Sequence, residues 1–348
     1  MKILFLYTEL ADYSMACFKA LKSACPECEL MVIHFPINPE APFKFQFDDP
    51  ARFICVDRFG NYESFANEIG KFSPDKIVCS GWINKWYIRV CRKYSRDAQF
   101  ILCSDNTWHG TFKQLVLSLV APATIARTFE KIWVPGEPQV SYARKIGFRD
   151  AQIMTGFYSC DVERFSLLYD RYKEIRENQF PHRFLCVARY IPAKGYEYLW
   201  QAFAKWKEMS PNDWELWCAG AGEDYDKRFL YPSIRHLGFV QRGQWDYVVE
   251  NTGVFILPSL FEPWGVVVHE FAAAGYPLMI SNRVGANTAF VNGHNGFTFD
   301  PMNMDQIISG FDKISKSTSA DLLRMGLESL KLSKQITPSG WARALLSS

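Results

Sequence analysis

Two cations five residues apart follow an apolar run in the second half of the chain. The run predicts a buried strand that ends near Ala188, and a helix is expected to begin near Gly195. Arg189 offers a planar fork to phosphate oxygens and Lys194 a point charge, so together they suit a diphosphate. Two solvated loop cations are the competing interpretation.

Two carboxylates follow a later apolar run. Pro263 and Gly265 predict a helix start there, and its free backbone N–H groups favour an anion. Glu262 then lies in the turn and Glu270 about two helical turns inside, where each can accept hydrogen bonds from sugar hydroxyls. The alternative is a helix-entry Glu balancing the helix dipole and a second Glu on a solvated face. The apolar residues around Glu270 disfavour it, because an ionised Glu in a buried helix needs a partner.

A third group of candidate residues lies in the first half. It combines aromatic rings with polar groups just after two predicted strands: Trp82, Asp105, Asn106, Trp108 and His109. Aromatic faces beside carboxylates and amides suit a sugar ring, which has apolar faces and hydroxyl edges. For His109, a structural role competes evenly with a functional one.

Two shorter motifs are weak. Gly220-Ala221-Gly222 is half of a dinucleotide fingerprint, but Tyr225 stands near the place of the third glycine, so NAD is not indicated. Asp224-Tyr225-Asp226 is a possible metal motif, although a helix start explains it better. No glycine loop runs into Gly-Lys-Ser/Thr, which disfavours a kinase.

The elements that must position these residues alternate between short apolar runs and amphipathic stretches, which is typical of βα units feeding a parallel sheet. Strands are predicted at 2–7, 29–35, 52–56, 76–79, 99–103, 131–134 and 151–154, then at 183–188, 214–218, 235–239, 253–257, 277–281 and 296–299. We therefore expect an α/β protein with a domain at 1–165, a linker at 166–182 and a second domain at 183–335. A helix at 336–348 is expected to pack back on the first domain. Ligands of such sheets bind at the carboxyl ends of the strands.

Composition limits the remaining classes. The 348 residues are 48 % hydrophobic with a formal net charge of +2, which disfavours intrinsic disorder and a nucleic-acid partner. The ten cysteines lie mostly in apolar runs, so reduced thiols and a cytoplasmic location are expected. The pair Cys25 and Cys28 is expected to be structural, because a zinc site needs a second pair.

An uncharged run at 114–126 is broken by Pro122 and is too short for a bilayer span of about 20 residues. We expect it to form a buried helix. Peripheral contact of this run with a membrane face or a lipid-linked acceptor, helped by Trp82, Trp86 and Trp108, is the alternative.

Several of these motifs occur together in the order of one known family. They are Ala188-Arg189 with Lys194-Gly195, Leu237-Gly238-Phe239-Val240, Leu257-Pro258-Ser259, the Glu262 and Glu270 pair, and Asn292-Gly293 with Asn295-Gly296-Phe297. In this the chain resembles the retaining nucleotide-sugar glycosyltransferases of the large fourth family, glycosyl transferases group 1. The resemblance covers roughly 131–301 well and the first 130 residues only in outline. It implies the GT-B fold, with two Rossmann-like parallel-sheet domains facing across a cleft.

The resemblance also implies roles for single residues. Arg189 and Lys194 would hold the donor diphosphate, Glu262 would contact the donor sugar, and Glu270 would bind the ribose hydroxyls. Backbone amides near Trp264, Gly265 and Val266 would assist, and Gly220 would lie beside the base. His109 would be the histidine that touches the donor sugar.

One departure from the family lies after the first strand. Many relatives have a glycine-rich loop there, whereas 7–13 contains no glycine. Tyr13 or Asp12 is therefore expected to serve the acceptor instead.

The expected activity is hexose transfer from a UDP- or GDP-sugar to a glycan or lipid-linked acceptor, as in polysaccharide biosynthesis, with retention and without a metal or other cofactor. Two alternatives stay open: a nucleotide-sugar epimerase of the same fold, and a sugar- or partner-binding module without catalysis.

Overall fold

The first of two compact units is built on a parallel sheet. The computed structural model describes residues 1–45, 50–94 and 98–348. Among these, Met1–Asn38, Phe43–Ser159 and Pro338–Ser348 form unit 1, and Pro39–Pro42 with Cys160–Thr337 form unit 2. The strands of unit 1 are β1 (Lys2–Tyr7), β2 (Glu29–His34), β3 (Arg52–Cys55), β4 (Lys76–Ser80), β5 (Gln99–Cys103), β6 (Lys131–Trp133) and β7 (Ile153–Met154).

Helices cover both faces of this sheet. They are α1 (Asp12–Ala24), α2 (Tyr62–Phe72), α3 (Lys85–Lys93), α4 (Phe112–Thr128) and α5 (Glu137–Lys145). Helices α2 to α5 contribute to one apolar cluster and α1 to another, so the sheet is buried between two layers. A strand buried on both faces reads as a continuous apolar run, which explains why these strands are visible in the sequence.

Unit 2 repeats this plan. Its strands are β8 (Arg183–Val187), β9 (Glu215–Ala219), β10 (Ile234–Gly238), β11 (Val254–Leu257), β12 (Leu278–Ser281) and β13 (Gly296–Phe299). Its helices are α6 (Val162–Asn178), α7 (Tyr196–Met209), α8 (Trp245–Asn251), α9 (Val266–Ala273), α10 (Asn287–Phe290), α11 (Met304–Ser315) and α12 (Ser319–Ser333). The predicted α/β class with two Rossmann-like parallel sheets is confirmed.

The strand order reverses once in each sheet. It is β3-β2-β1-β4-β5-β6-β7 in unit 1 and β10-β9-β8-β11-β12-β13 in unit 2. Strands β1 and β4 are therefore neighbours, as are β8 and β11, while the connections on either side run in opposite directions. Such a switch point opens a crevice at the carboxyl ends of the two strands, which is where open α/β sheets bind ligands.

The linker expected at 166–182 differs from the structure. Helix α6 occupies most of this segment and belongs to unit 2, which begins at Cys160. Although the sequence of α6 is rich in charged residues, one face of the helix is buried, and this face includes Phe165, Leu168 and Arg176. Arg176 is 2 % exposed, because its guanidinium donates to the carbonyls of Ala274, Val249 and Thr252.

The end of the chain returns to unit 1. Helix α13 (Pro338–Leu346) places Trp341 against Phe5 and Trp133, with ring centroids 6.0 and 4.9 Å apart. Lys76 Nζ donates to the Leu345 carbonyl at 2.9 Å. The 336–348 segment thus lies where the sequence places it, with Leu345 on the buried face.

The prediction that 114–126 forms a buried helix is wrong. The segment is helical within α4, with Pro122 inside it, but Ala121 is its one buried residue. The reason is that α4 is apolar on two faces. Leu117, Ala121 and Ile125 pack on the core, while other large apolar residues point outward. Among the described residues, no helix is both long and apolar enough to cross a membrane.

The reduced state expected of the cysteines fails at one pair. Cys25 and Cys28 form a disulfide that joins the end of α1 to the start of β2, with the two Cα atoms 5.4 Å apart. The turn after α1 brings the two side chains together, which the spacing alone does not reveal. The other eight cysteines are free.

Candidate active site at the carboxyl ends of β8 and β11

The cation loop leaves β8 and makes one tight turn before α7. Pro192–Lys194 forms a 3₁₀ turn, and Gly195 takes the left-handed conformation at φ 69°. A Cβ on Gly195 would lie 2.2 Å from the Pro258 carbonyl oxygen, so only glycine allows this approach. The loop after β8 therefore packs directly on the loop after β11.

Backbone hydrogen bonds hold the two loops together. The Ala193 carbonyl accepts from the N–H of Leu260 at 2.8 Å and of Phe261 at 3.2 Å. As a result, Lys194 Nζ donates to the Glu262 carboxylate. The two side chains are only 12 % and 16 % exposed, so this ion pair is largely shielded from water.

Arg189, the second predicted cation, also meets a carboxylate. Its Nη1 donates to Glu40 Oε2 at 3.0 Å, and both side chains are about one-third exposed. Glu40 comes from the short segment Pro39–Pro42, which belongs to unit 2 although it lies early in the chain. Sequence reasoning missed Glu40, because no local pattern connects residues so far apart.

Helix α9 begins beside Glu262. Gly265 has φ 92°, and a Cβ there would lie 3.0 Å from Glu262 Cγ. The Trp264 side chain is buried, so only its backbone is available to a ligand. Val266 opens the helix and Glu270 is half-buried within it. An N-terminus with no acidic residue in its first turn favours an anion.

The glycine turn after β9 packs against the same cation loop. Gly220 has φ 145°, and a Cβ there would lie 1.9 Å from the Ala188 carbonyl oxygen. Gly220 therefore lies next to Arg189. The nearby acidic triplet is a 3₁₀ turn at Tyr225–Lys227, in which Asp224 pairs with Lys227 and Asp226 lies near Arg228.

The predicted donor residues thus gather at one place, the switch point between β8 and β11. The cations follow β8 and Glu262 follows β11. The arrangement combines cationic side chains, a helix N-terminus and a shielded carboxylate, which together suit an anion that carries hydroxyl groups.

Two of the predicted acceptor residues line a cavity in unit 1. Tyr13 and Asp105 border a space of about 180 Å³ at the carboxyl ends of β1 and β4, the switch point of that sheet. The Tyr158 hydroxyl donates to Asp105 at 3.2 Å, and burial raises the pKa of Tyr158 well above its usual value, which keeps that proton in place. Sequence reasoning missed several polar lining residues, among them Thr8, Glu9, Ser14, Ser80 and Tyr158, although Thr8, Glu9 and Ser80 lie at or just beyond strand ends.

The structure does not bring the other acceptor candidates to this cavity. Trp82 and Trp108 both pack on Tyr142, with ring centroids 6.3 Å away. His109 is exposed and its ring bonds to Thr107 at 2.7 Å, while Asn106 bonds to Ser104. The loop after β5 turns away beyond Asp105, which separates residues that the sequence places together.

Comparison with known proteins identifies the larger part of unit 2. Residues 171–326 match the family described as glycosyl transferases group 1. The chain carries a glycosyl transferases group 1 domain. This confirms the family resemblance, and the matched residues include the cation loop, Glu262 and Glu270.

Curated relatives match part of the chain. A glycosyltransferase of Methanocaldococcus jannaschii, MJ1607, described as uncharacterized, is 34 % identical over 137 residues, or 37 % of this chain and 35 % of that protein. The glycogen synthase of Mycobacterium tuberculosis is 29 % identical over 131 residues, or 36 % of this chain and 31 % of its own. The matches thus span about a third of the length of these two relatives.

Solved structures match the whole chain in fold. Anabaena Alr3699/HepE in complex with UDP gives a TM-score of 0.76 at 15 % identity, covering 100 % of this chain and 99 % of that one. Sucrose-phosphate synthase of Thermosynechococcus elongatus gives 0.73 at 16 % identity, with 100 % and 98 % covered. The fold is therefore that of the GT-B glycosyltransferases.

Proposed function

We propose that this protein transfers a hexose from a nucleoside-diphosphate sugar to a glycan or lipid-linked acceptor hydroxyl, with retention of configuration. The observation that carries the proposal is the shielded pair of Lys194 and Glu262 at the switch point of unit 2, with Arg189 one loop turn away. The family of residues 171–326 supports it.

The geometry suits cleavage of a glycosyl–phosphate bond. When that bond breaks, positive charge develops on the anomeric carbon and negative charge on the departing diphosphate. Lys194 and Arg189 stabilise the diphosphate as it leaves, assisted by backbone amides from Trp264 to Val266. Glu262 accepts a hydrogen bond from a hydroxyl of the donor sugar, and Glu270 from the ribose.

We infer retention from the resemblance to the retaining family. Glu262 pairs with Lys194, and we assign it to positioning the sugar and not to the role of nucleophile in a two-carboxylate mechanism. The acceptor hydroxyl then attacks from the face that the diphosphate leaves, and a phosphate oxygen takes its proton. With two cations on the diphosphate, transfer needs no divalent metal, and chelation with EDTA should leave turnover unchanged.

The donor base we propose is uracil. Alr3699/HepE is described in complex with UDP and glucose, and a second structure of this fold with UDP-2-fluoro glucose. For the acceptor, the cavity around Tyr13 and Asp105 offers carboxylate and hydroxyl groups that suit another hydroxyl-bearing ring.

The test is an assay of nucleoside diphosphate release from a panel of UDP- and GDP-sugars with candidate acceptors. Lys194→Ala and Glu262→Ala should each lower kcat by about a hundredfold or more, because each removes a group that acts in the transition state. Lys331→Ala is the matched control, since Lys331 forms an exposed ion pair with Glu328 in the same unit. Wild-type turnover in both site variants would overturn the proposal.

The same assay separates the alternatives. An epimerase would change the identity of the free nucleotide sugar without an acceptor, and a binding module would bind nucleoside diphosphate without ever releasing sugar. Retention is read from the anomeric configuration of the product by NMR, where an inverted product contradicts the mechanism.

A further inference from the structure

Helix α4 of unit 1 has a second apolar face, directed away from the sheet. Its inner face packs on the core of unit 1 through Leu117, Ala121 and Ile125 and also carries Gln114 and Ser118. The residues that face away are large and apolar: Phe112, Leu115, Val116, Leu119 and Val120. These five, named here the α4 ridge, are spaced so that they form one continuous stripe along the helix.

The exposure of this stripe is large. Phe112 is 80 % and Leu119 81 % exposed, and the other three residues are each close to half exposed. Isolated apolar residues on a surface are ordinary, but a contiguous apolar ridge marks an interaction site. Polar contacts on the inner face hold the helix in this orientation.

Those contacts lie at the beginning of α4. Gln114 Nε2 donates to the Thr107 carbonyl at 2.7 Å, and Gln114 Oε1 accepts from the His109 N–H at 2.8 Å. Thr111 caps the helix by accepting from the Gln114 N–H. Rotating α4 to bury the ridge would break these bonds, so the outward orientation is built into the fold.

The charges on α4 itself are cationic. The helix has no acidic residue, and its two charged residues are Lys113, beside Phe112, and Arg127, in the last turn of the helix. Helix α3 packs on the same face of the sheet and carries four exposed cations and no acid. One of these, Arg89, meets Glu63 at 3.6 Å, in an exposed pair that screens it little.

Further apolar and aromatic groups lie in the loops after β4 and β5. The loop after β4 carries Ile83, which is 90 % exposed, next to Trp82. Trp82 and Trp108 meet on the ring of Tyr142, and Lys145 Nζ lies 5.5 Å from the Trp108 ring centroid. Tryptophan and lysine beside exposed aliphatic residues are typical of proteins at a lipid headgroup layer.

We propose that the α4 ridge docks unit 1 on the surface of an anionic lipid membrane, with α4 lying in the plane of the headgroups. The apolar stripe enters the boundary between headgroups and acyl chains, and the cations meet lipid phosphates. A second copy of this chain fits less well, because two ridges in a symmetric pair would bring like charges together.

Vesicle sedimentation of the full chain tests this proposal. Wild-type protein should sediment with vesicles of equimolar phosphatidylcholine and phosphatidylglycerol, bind much less to phosphatidylcholine alone, and be released by salt. Leu119→Asp should lower the partition coefficient about tenfold or more, and the milder Phe112→Ser should lower it as well. Leu167→Asp is the matched control, since Leu167 is an exposed helical leucine of unit 2 and should change nothing.

Each other outcome overturns the proposal. If wild-type protein stays in solution with anionic vesicles, the α4 ridge does not bind membranes. If Leu119→Asp sediments as much as wild-type protein, the membrane contact lies outside the α4 ridge. A dimer in sedimentation velocity that Leu119→Asp dissolves, without vesicle binding, assigns the ridge to a second copy. Urea unfolding followed by circular dichroism shows that each variant is folded. Vesicle binding is measured without donor or acceptor, so the result is independent of the proposed transfer activity.

Discussion

Arg189 is held by a carboxylate where the proposed function requires a phosphate. Glu40 therefore competes with the donor for the guanidinium. We expect Glu40→Gln to bind UDP more tightly, by about fivefold at most, because a partly exposed ion pair of this kind contributes about 1 kcal/mol or less.

Calorimetric titration with UDP measures this effect. Glu63→Gln, which breaks the exposed pair of Glu63 with Arg89 in unit 1, is the control and should leave UDP affinity unchanged. Weaker UDP binding by Glu40→Gln would mean that Glu40 positions Arg189 and does not compete for it.

His269 predicts a pH dependence of stability. It is fully buried on α9, where its ring stacks on Phe290, Nδ1 accepts from the Cys160 N–H, and Nε2 bonds to the Ser333 carbonyl. Burial lowers its pKa to about 4. In the unfolded chain a histidine has a pKa of about 6.5, so between these values only the unfolded state binds the proton.

Stability should therefore fall as the pH drops from about 6.5 to 4, by about 3 kcal/mol in total. Urea unfolding at several pH values measures this slope. His269→Gln should be less stable at neutral pH but have a shallower slope below it, whereas the exposed His294→Gln should keep the wild-type slope. An unchanged slope in His269→Gln would contradict the assignment.

At the scale of elements, the approach of two loops decides the site. Gly195 and Gly293 both have a left-handed backbone, with φ 69° and 79°. A Cβ on Gly293 meets nothing within 4 Å, whereas one on Gly195 would meet the Pro258 carbonyl. Gly293→Ala should thus lower the free energy of unfolding by about 1 kcal/mol, through backbone strain alone. Gly195→Ala should lower it by about 2 kcal/mol more, because the added Cβ also clashes.

Gly195→Ala should also weaken UDP binding, because separating the two loops moves Lys194 away from Glu262. Urea unfolding and UDP titration of both variants measure the two effects. Equal losses of stability and wild-type UDP affinity in both would show that the close approach does not position the site.

The sequence predicts the strands far better than it predicts exposure. All thirteen strands lie within two residues of their predicted bounds. The central strands are the clearest, because a strand buried on both faces is apolar throughout. The same reasoning fails for helix α4. Its apolar sequence predicts a buried helix, but five of its large apolar side chains are exposed. The motifs after β8 and β11 predict residues that the structure does bring to the switch point of unit 2, whereas the contact of Glu40 with Arg189 depends on tertiary structure.

At the scale of the whole molecule, the two units share one plan. Each has a parallel sheet whose order reverses once, and each has its candidate binding residues at that reversal: Arg189, Lys194 and Glu262 in unit 2, and Tyr13 and Asp105 in unit 1. Helix α13 belongs to unit 1, where Trp341, Ala342 and Leu345 join an apolar cluster with residues of β1.

The role of α13 predicts that unit 1 is sensitive to the end of the chain. Trp341 is 3 % exposed and belongs to the apolar cluster that includes Phe5 and Trp133. Trp341→Ala should lower the free energy of unfolding of unit 1 by about 3–5 kcal/mol. Hydrogen exchange should then accelerate in peptides from β1 and β6 and stay unchanged in those from β11. Trp206→Ala, in the core of unit 2, is the reciprocal control. It should accelerate exchange in β11 but not in β1 or β6. Faster exchange of β11 in Trp341→Ala would mean that the two units unfold together.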